Sequence, residues 1–470
     1  MESTASADII IVGGGIAGLV TANRAAQLGL KALVLEQGAE DKYLCNSRYT
    51  GGTLHLCLRD LMIDEAVMAR TIVEITEGFV AVPLAEMLAR DGRRIVQWLR
   101  DEGIKFIRAS GAEHQKYVLA PPATLRPGLN WEGRGGDVML RTLGANLEKR
   151  GGRVARATRA RELIVKDGCC TGLIASRNGT DVRFDGSAVV LADGGFQGNS
   201  ELVQRYICRR PERLKQRGAG TGRGDALLMA MAVGAATRGM DRFYGHMLSR
   251  EAMTNEKLWP HPYLDSIVTA GIVVAPDGRR FVDEGISGVY VANAVAKLDD
   301  PLGVVAIFDQ AIWDGPGRSG VVSANPNLPQ VGGTVHVAND LISLARLAGL
   351  PGDALTATVH AYNEKIAAGA PQSLAPPRRI SSFRAWPITQ PPYYAVPVCA
   401  GITNTMGGVV VNEHAQAMRA DGSIIDGLYA VGATTGGLEG GPAVGYVGGL
   451  AKGGITGLHA AEHIAAQRAG

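Results

Sequence analysis

Apolar positions along the chain fall into a few clear periods. Asp8 to Val12 is a short apolar run that predicts a buried strand. Ile16 to Leu28 follows a helical period and is stopped by Gly29, and Lys31 to Leu35 predicts a second buried strand. A strand–helix–strand unit of this kind implies a parallel sheet with helices on its faces. Residues 62–107 read as helical and end in the amphipathic stretch DGRRIVQWLRDEGIKF, and residues 137–150 predict a helix closed by Gly151-Gly152. Residues 153–192 alternate in period two and are broken by DG and NG turns. That predicts a meander feeding one buried strand, Ala188 to Ala192. The composition changes near residue 240. Residues 241–385 hold many of the Trp, Pro and His residues, APDGRRFVDEG reads as a hairpin, and the proline-rich 371–397 reads as a return linker. A final helix is predicted over about 452–467. The pattern predicts an α/β protein in which residues 1–240 and 386–470 build one Rossmann-like domain, a parallel sheet plus a meander. Residues 241–385 form an inserted α+β capping domain, with a ligand crevice between the two.

Composition narrows the class. At 470 residues with 20% charged and 46% hydrophobic positions, the chain is too apolar for disorder and too long for one small module. The net charge of +3 gives no argument for nucleic acid or an acidic membrane surface. No run of about 20 apolar residues predicts a membrane span. The six cysteines show no CxxC spacing, so a zinc or other metal site and thioredoxin chemistry are not expected. The opening MESTASADIIIVGGG lacks a basic leader pattern, and free thiols fit a reducing compartment, so a cytoplasmic location is expected. The 63 glycines are the outlier, roughly twice the usual share of ~7%. They come in short clusters, as backbone brought close to a ligand requires.

The first cluster has a mechanism. Gly13-x-Gly15-x-x-Gly18 follows a strand and opens a helix, so its free N–H groups and dipole face a pyrophosphate. Glu36 ends the second strand, where a carboxylate takes ribose hydroxyls and repels a 2′-phosphate. Three further clusters, SRYTGGT at 47–53, ADGGF at 192–196 and GLYAVGATTGG at 427–437, suit a long cofactor lying extended across the domain. They favour FAD over NAD.

These segments, in this order and over essentially the whole chain, resemble the fumarate reductase/succinate dehydrogenase flavoprotein superfamily. Tricarballylate dehydrogenase-like and 3-ketosteroid dehydrogenase-like members are nearest. The resemblance rests on SIVTAGIVVAPDGRRFVDEG, LADGGFQGNSE and GYVGGLAKGGITGLHAA. It implies non-covalent FAD, an inserted cap, and hydride transfer between flavin N5 and a C–C bond beside an activating group. Residue by residue it implies that Gly13, Gly15, Ala17 and Gly18 hold the pyrophosphate and that Glu36, with Gln37, holds the adenosine ribose. Ser47, Thr50, Gly51 and Gly52 would serve the phosphate and isoalloxazine, and Ala160 the adenine. Ala192, Asp193 and Gly194 would line the groove. Gly432 and Ala433 would form the second phosphate turn, and Leu450 and Ala451 would offer N–H groups to flavin O2.

Departures from the superfamily pattern shape the expected chemistry. Asn404 stands where fumarate reductases carry a His, Tyr446 where they carry an Arg, and Trp313 where they carry a proton-donating Arg. A fumarate-type site needs two cationic clamps and an acid, so fumarate reduction is not expected. Tyr446, His246, Asn404, Arg48 and Tyr49 are the candidate catalytic residues, with Arg48 open to a phosphate role instead. His261, Arg134 and Asp283-Glu284 are weaker candidates, and RRPERLKQR at 209–217 reads as a solvated surface run. The expected function is an FAD-dependent dehydrogenase forming a C=C bond α,β to the ketone or carboxylate of a small-molecule substrate and passing electrons to a separate acceptor. The reverse enoate reductase and a non-catalytic flavoprotein subunit are the alternatives.

Overall fold

A computed structural model describes residues 2–469. Its central sheet is ordered 416–418, Ile424–Ala430, Ala188–Leu191, Ile9–Val12, Ala32–Leu35, Arg153–Ala155. All neighbours run parallel except the 416–418 edge strand. The chain's beginning, middle and end therefore lie side by side. Strands Ile9–Val12, Ala32–Leu35 and Ala188–Leu191 are fully buried, with helix Ile16–Gln27 packed on the sheet and the antiparallel meander packed against it as well, which explains their continuous apolar runs. Helix Ile16–Gln27 packs against the final helix, Gly449–Ala469. A Cβ on Gly457 would stand 2.8 Å from the Ala17 carbonyl oxygen, so the small residues of GGITG permit that close approach. The period-two segment forms the antiparallel strands Thr158–Lys166, Cys169–Arg177 and Thr180–Asp185.

A second sheet is organised around one long strand, Tyr393–Thr405. Its first half pairs with Val305–Asp309 and His336–Ala338, and its second half with Phe243–Ser249 and Lys215–Gln216. The stretch expected to be a linker to 397 thus becomes strand at 393, because the continuous apolar run YYAVPVCAG finds partners on both edges. The expected hairpin over APDGRRFVDEG reduces to a turn, in which Ala275 N–H donates to Arg279 O at 2.9 Å. Beyond it, the buried Glu284 carboxylate pairs with Arg280 and accepts from Val273 N–H at 3.1 Å, which holds the backbone off a second strand.

Residues 62–107 split into helices Glu65–Ile75 and Val82–Asp101. Asp64 caps the first by accepting from Val67 N–H at 3.1 Å.

Candidate active site

The βα turn after Ile9–Val12 is built without side-chain bulk. Gly13 has φ +104°, and a Cβ there would stand 2.6 Å from Ala192 O. A Cβ on Gly18 would stand 2.0 Å from Gly13 O. Gly15 caps the helix, and Ser47 Oγ accepts from Ile16 N–H at 3.0 Å, which brings the 47–53 segment onto the turn. Glu36 accepts from Gly14 N–H at 2.9 Å and Gly38 N–H at 2.8 Å. Thr158 N–H donates to Glu36 O, which places the strand carrying Ala160 beside it. A cleft of about 650 Å³ opens there, lined by Glu36, Gln37, Tyr43, Trp131 and Thr221.

On the other side of the turn, Asp193 accepts from Ala226 N–H at 2.9 Å and from the Thr434 hydroxyl at 3.3 Å, which joins the 192–196 and 432–434 segments. Burial pushes its carboxyl up to about 7. No heavy atom lies within 4 Å of a Cβ placed on Gly51 or Gly194, so both face open groove. At the end of this groove the last helix begins. Its first backbone bond, Lys452 N–H to Gly448 O, leaves the Leu450 and Ala451 N–H groups outside the ladder. The open glycines, the Glu36 carboxylate at the end of the second strand and two helix N-termini whose first N–H groups lie outside the helical ladder fit FAD. Gly13, Gly15, Ala17, Gly18, Glu36, Ser47, Gly51, Gly194, Gly432 and Ala433 are the residues that would hold it.

Beyond the helix N-terminus stands a cluster of aromatic and ionisable groups. Period two on Phe243–Ser249 puts Tyr244 and His246 on one face. Tyr244 Oη lies 2.9 Å from His246 Nε2, and His246 Nδ1 lies 2.5 Å from Asp265 Oδ2. Asp265 Oδ1 accepts from Met247 N–H at 2.9 Å. A carboxylate accepts only, so His246 carries its proton on Nδ1 and Nε2 accepts from the Tyr244 hydroxyl. Burial depresses the His246 pKa against the opposing pull of Asp265, which keeps the imidazole neutral. Tyr446 stacks on Tyr244, with ring centroids 3.7 Å apart and planes 13° apart, and its hydroxyl accepts from Gly449 N–H at 2.8 Å. Burial raises both phenols well above their ordinary pKa. Tyr263 stacks on His246 at 4.5 Å.

Of the expected catalytic residues, Tyr446, His246 and Asn404 come together; Asn404 is the cross-strand partner of Tyr244. Arg48 is 1% exposed, ion-paired with Asp137 and donating to Tyr43 O at 2.8 Å. That spends its charge on the loop rather than on the cleft. Tyr49 lies against Trp131, 5.6 Å between centroids, away from this cluster. Arg134 donates to Asn130, Asp283 receives Gly285 N–H, and Trp313 packs on Phe308 and Tyr394.

The surface reading of 209–217 is corrected at its end. Arg217 is 9% exposed and lies across Gly401, where a Cβ would meet its Cδ at 2.9 Å. Its charge is felt by Tyr244, Asp265, Tyr263 and Tyr446. Tyr244, Asp265 and Arg217 are functional candidates that sequence reading passed over. Only Tyr244 carried a signal, its two-residue spacing from His246.

The sequence matches the FAD binding domain family, FAD_binding_2, over residues 8–446. The chain belongs to this family. It is 26% identical to vinyl phenol reductase of Lactiplantibacillus plantarum, covering 97% of each chain. It is 26% identical to NADH:fumarate oxidoreductase of Klebsiella pneumoniae over 94% of this chain and 46% of that one. It is 27% identical to 3-oxosteroid 1-dehydrogenase of Mycobacterium tuberculosis over 71% of this chain and 63% of that one. The chain thus spans about half to two thirds of the length of the last two. The fold is shared with 3-ketosteroid Δ1-dehydrogenase of Sterolibacterium denitrificans, at TM-score 0.74 and 20% identity over 99% of this chain and 100% of that one. It is shared also with a flavocytochrome c3 fumarate reductase, at TM-score 0.70 and 22% identity over 99% and 79%. This member of the family is an FAD-dependent oxidoreductase acting on CH–CH groups, a Rossmann-like flavoprotein with a capping domain. Among the described residues no helix is long and apolar enough to cross a membrane, and no His, Cys, Asp and Glu group can hold a metal ion.

Proposed function

We propose that the protein is a dehydrogenase that introduces a C=C bond α,β to a carbonyl or carboxylate of a small organic substrate. The Asp265–His246–Tyr244 chain carries this reading. Its ground state is that of a base: a neutral imidazole, oriented by a carboxylate, already accepting the hydroxyl proton of Tyr244. As His246 Nε2 takes that proton, Tyr244 Oη takes the proton from the substrate α-carbon. Tyr446 receives the Gly449 N–H and so keeps its own O–H for the substrate oxygen, where negative charge develops. Bound FAD supplies the acceptor for the hydride leaving the β-carbon. The unpaired N–H groups of the last helix would stabilise negative charge on the bound cofactor. Electrons then pass to a separate acceptor, since the chain holds no CxxCH haem motif and no iron–sulfur cysteine spacing. Six free thiols support a cytoplasmic setting.

The reverse reaction uses the same groups with the relay protonated. The two-way 97% coverage by a vinyl phenol reductase favours C=C reduction as the second reading. Anaerobic mixing of the FAD-loaded protein with saturated and unsaturated acids and ketones tests the direction. Bleaching of the yellow cofactor by a saturated compound is expected. Reduced protein that is reoxidised by unsaturated compounds, with no bleaching by any saturated one, overturns the dehydrogenase reading.

A further inference from the structure

Six Lys and Arg side chains are buried among the described residues: Arg48, Lys215, Arg217, Arg280, Arg378 and Lys452. Five have an acid within ion-pair distance: Asp137 for Arg48, Glu256 for Lys215, Glu284 for both Arg280 and Arg378, and Glu439 for Lys452. Arg217 alone has none. One N–H donates to the Thr403 hydroxyl at 2.7 Å and another to Pro260 O at 3.2 Å, both neutral acceptors. Its Nε is sealed from solvent without any partner, and His261 Nδ1 nearby is orphaned in the same way. Asp265, the acid whose charge reaches it, already spends its two oxygens on His246 and Met247 N–H.

A buried guanidinium without a counter-ion costs several kcal/mol, and proteins retain one where an anion completes the site. The fold makes special room for it. Arg217 follows the Lys215–Gln216 edge strand, its N–H donates to Ile402 O at 2.7 Å, and its stem crosses the bare backbone of Gly401 toward the strand that carries Tyr244 and His246.

We propose that Arg217 is the anchor for a single carboxylate of the substrate, so that the enzyme takes planar monocarboxylates and disfavours dicarboxylates. Resting on the dehydrogenase reading, this names the substrate class of that site. A second carboxylate would find no second cation: Arg48 is spent on Asp137, and Tyr446 occupies the position where an arginine was expected. The rings around Arg217, Tyr244 stacked on Tyr446 and Tyr263 stacked on His246, make an aromatic surround suited to a planar acid. A guanidinium presents its donors as a fork that matches one carboxylate, which a neutral amide of the same shape cannot reproduce.

The test is binding to the FAD-loaded protein, read by the flavin absorbance change and by calorimetry. The probes are benzoate, benzamide, terephthalate and, for size, propionate. Benzoate is expected to bind at least about tenfold more tightly than benzamide or terephthalate, and Arg217→Gln to abolish the benzoate–benzamide difference while keeping bound FAD. The wild-type contrast stands without the variant, should that fail to fold. Equal affinity for benzoate and benzamide overturns the proposal. So does a carboxylate preference surviving in Arg217→Gln, or a lack of binding by both benzoate and propionate. The dehydrogenase reading fails separately: the carboxylate contrast persists while no saturated compound bleaches the flavin.

Discussion

Replacing Asp265 by Asn probes the relay at the point where structure and chemistry are most tightly linked. The carboxylate lies 2.5 Å from His246 Nδ1, and the two side chains are 19% and 13% exposed. At a charge separation of ~4 Å and an effective dielectric of ~20, the attraction between Asp265 and an imidazolium is about 4 kcal/mol. Partial exposure and solvent screening leave roughly a third of that. Asp265 raises the His246 pKa against the dominant effect of burial. Removing the charge therefore lowers it, and the acid limb of the kcat/KM profile moves toward lower pH. The rate falls all the same. An asparagine can donate to Nδ1, which places the proton on Nε2 and leaves the Tyr244 hydroxyl with no acceptor. Loss of an oriented base costs about 10²–10⁴ in kcat, with KM changed less, because Asp265 acts on Arg217 through its charge alone and makes no hydrogen bond to it. Steady-state turnover from pH 5 to 10, on whichever saturated substrate bleaches the flavin, gives both quantities. An unmoved acid limb with kcat within threefold of wild type would refute the relay. A limb moved toward higher pH would refute the protonation states assigned to it.

Three further outcomes are expected. Glu439→Gln strands the Lys452 charge, which is 1% exposed in the first turn of the last helix, and should cost about 3–5 kcal/mol in chemical denaturation, with Glu439→Gln/Lys452→Met recovering most of it. Gly18→Ala puts a Cβ 2.0 Å from Gly13 O and should reduce FAD occupancy of the purified protein at least tenfold; full occupancy would contradict the close approach. Asp193, pushed up to about 7 mainly by burial, keeps a proton in the folded FAD-free chain that the unfolded chain gives up near its ordinary 3.8. That contribution is present below the ordinary value and is lost as pH rises through about 7, up to about 4 kcal/mol across the window. Asp193→Asn should flatten the decline in melting temperature of the FAD-free protein from pH 4 to 7, and an unchanged slope would count against it.

The cofactor half of the molecule was legible because its signals are local. Gly13, Gly15, Gly18 and Glu36 sit within one strand–helix–strand unit, and the strand, the turn and the acid each announce themselves within a few residues. The catalytic half was legible only along single strands. His246 and Asn404 could be placed by resemblance, and they meet across a register that pairs Tyr244 with Asn404 and His246 with Gly401. Asp265 reaches His246 from the start of a six-residue helix, a contact that no periodicity reports. Arg217 was hidden by its neighbours. The run RRPERLKQR is solvated at Arg209, whose side chain is 82% exposed, and the same basic composition continues into a strand whose last positions turn inward. Sequence composition averages over such a run, whereas strand pairing with Gly401 and Ile402 separates its two ends.

That separation changes what the missing clamps mean. Read along the sequence, a phenol at 446 and an amide at 404 look like the loss of positive charge from a carboxylate site. In three dimensions a guanidinium arrives from a different strand, over a glycine that leaves it room, and lies among the phenols. Moving the cation frees position 446 for a neutral donor. A permanently charged arginine there would bind the substrate's ground-state carboxylate as strongly as the developing enolate, and uniform binding does not accelerate the chemical step. A phenol held by Gly449 N–H carries no fixed charge, and its donation strengthens as further charge accumulates on the substrate oxygen. With charge recognition assigned to Arg217 and oxyanion stabilisation to Tyr446, the two variants should separate. Arg217→Gln should raise KM with kcat within about tenfold, while Tyr446→Phe should lower kcat about 10²-fold with KM nearly unchanged. Variants that move both constants together, in the same proportion, would show that the two residues act as one unit.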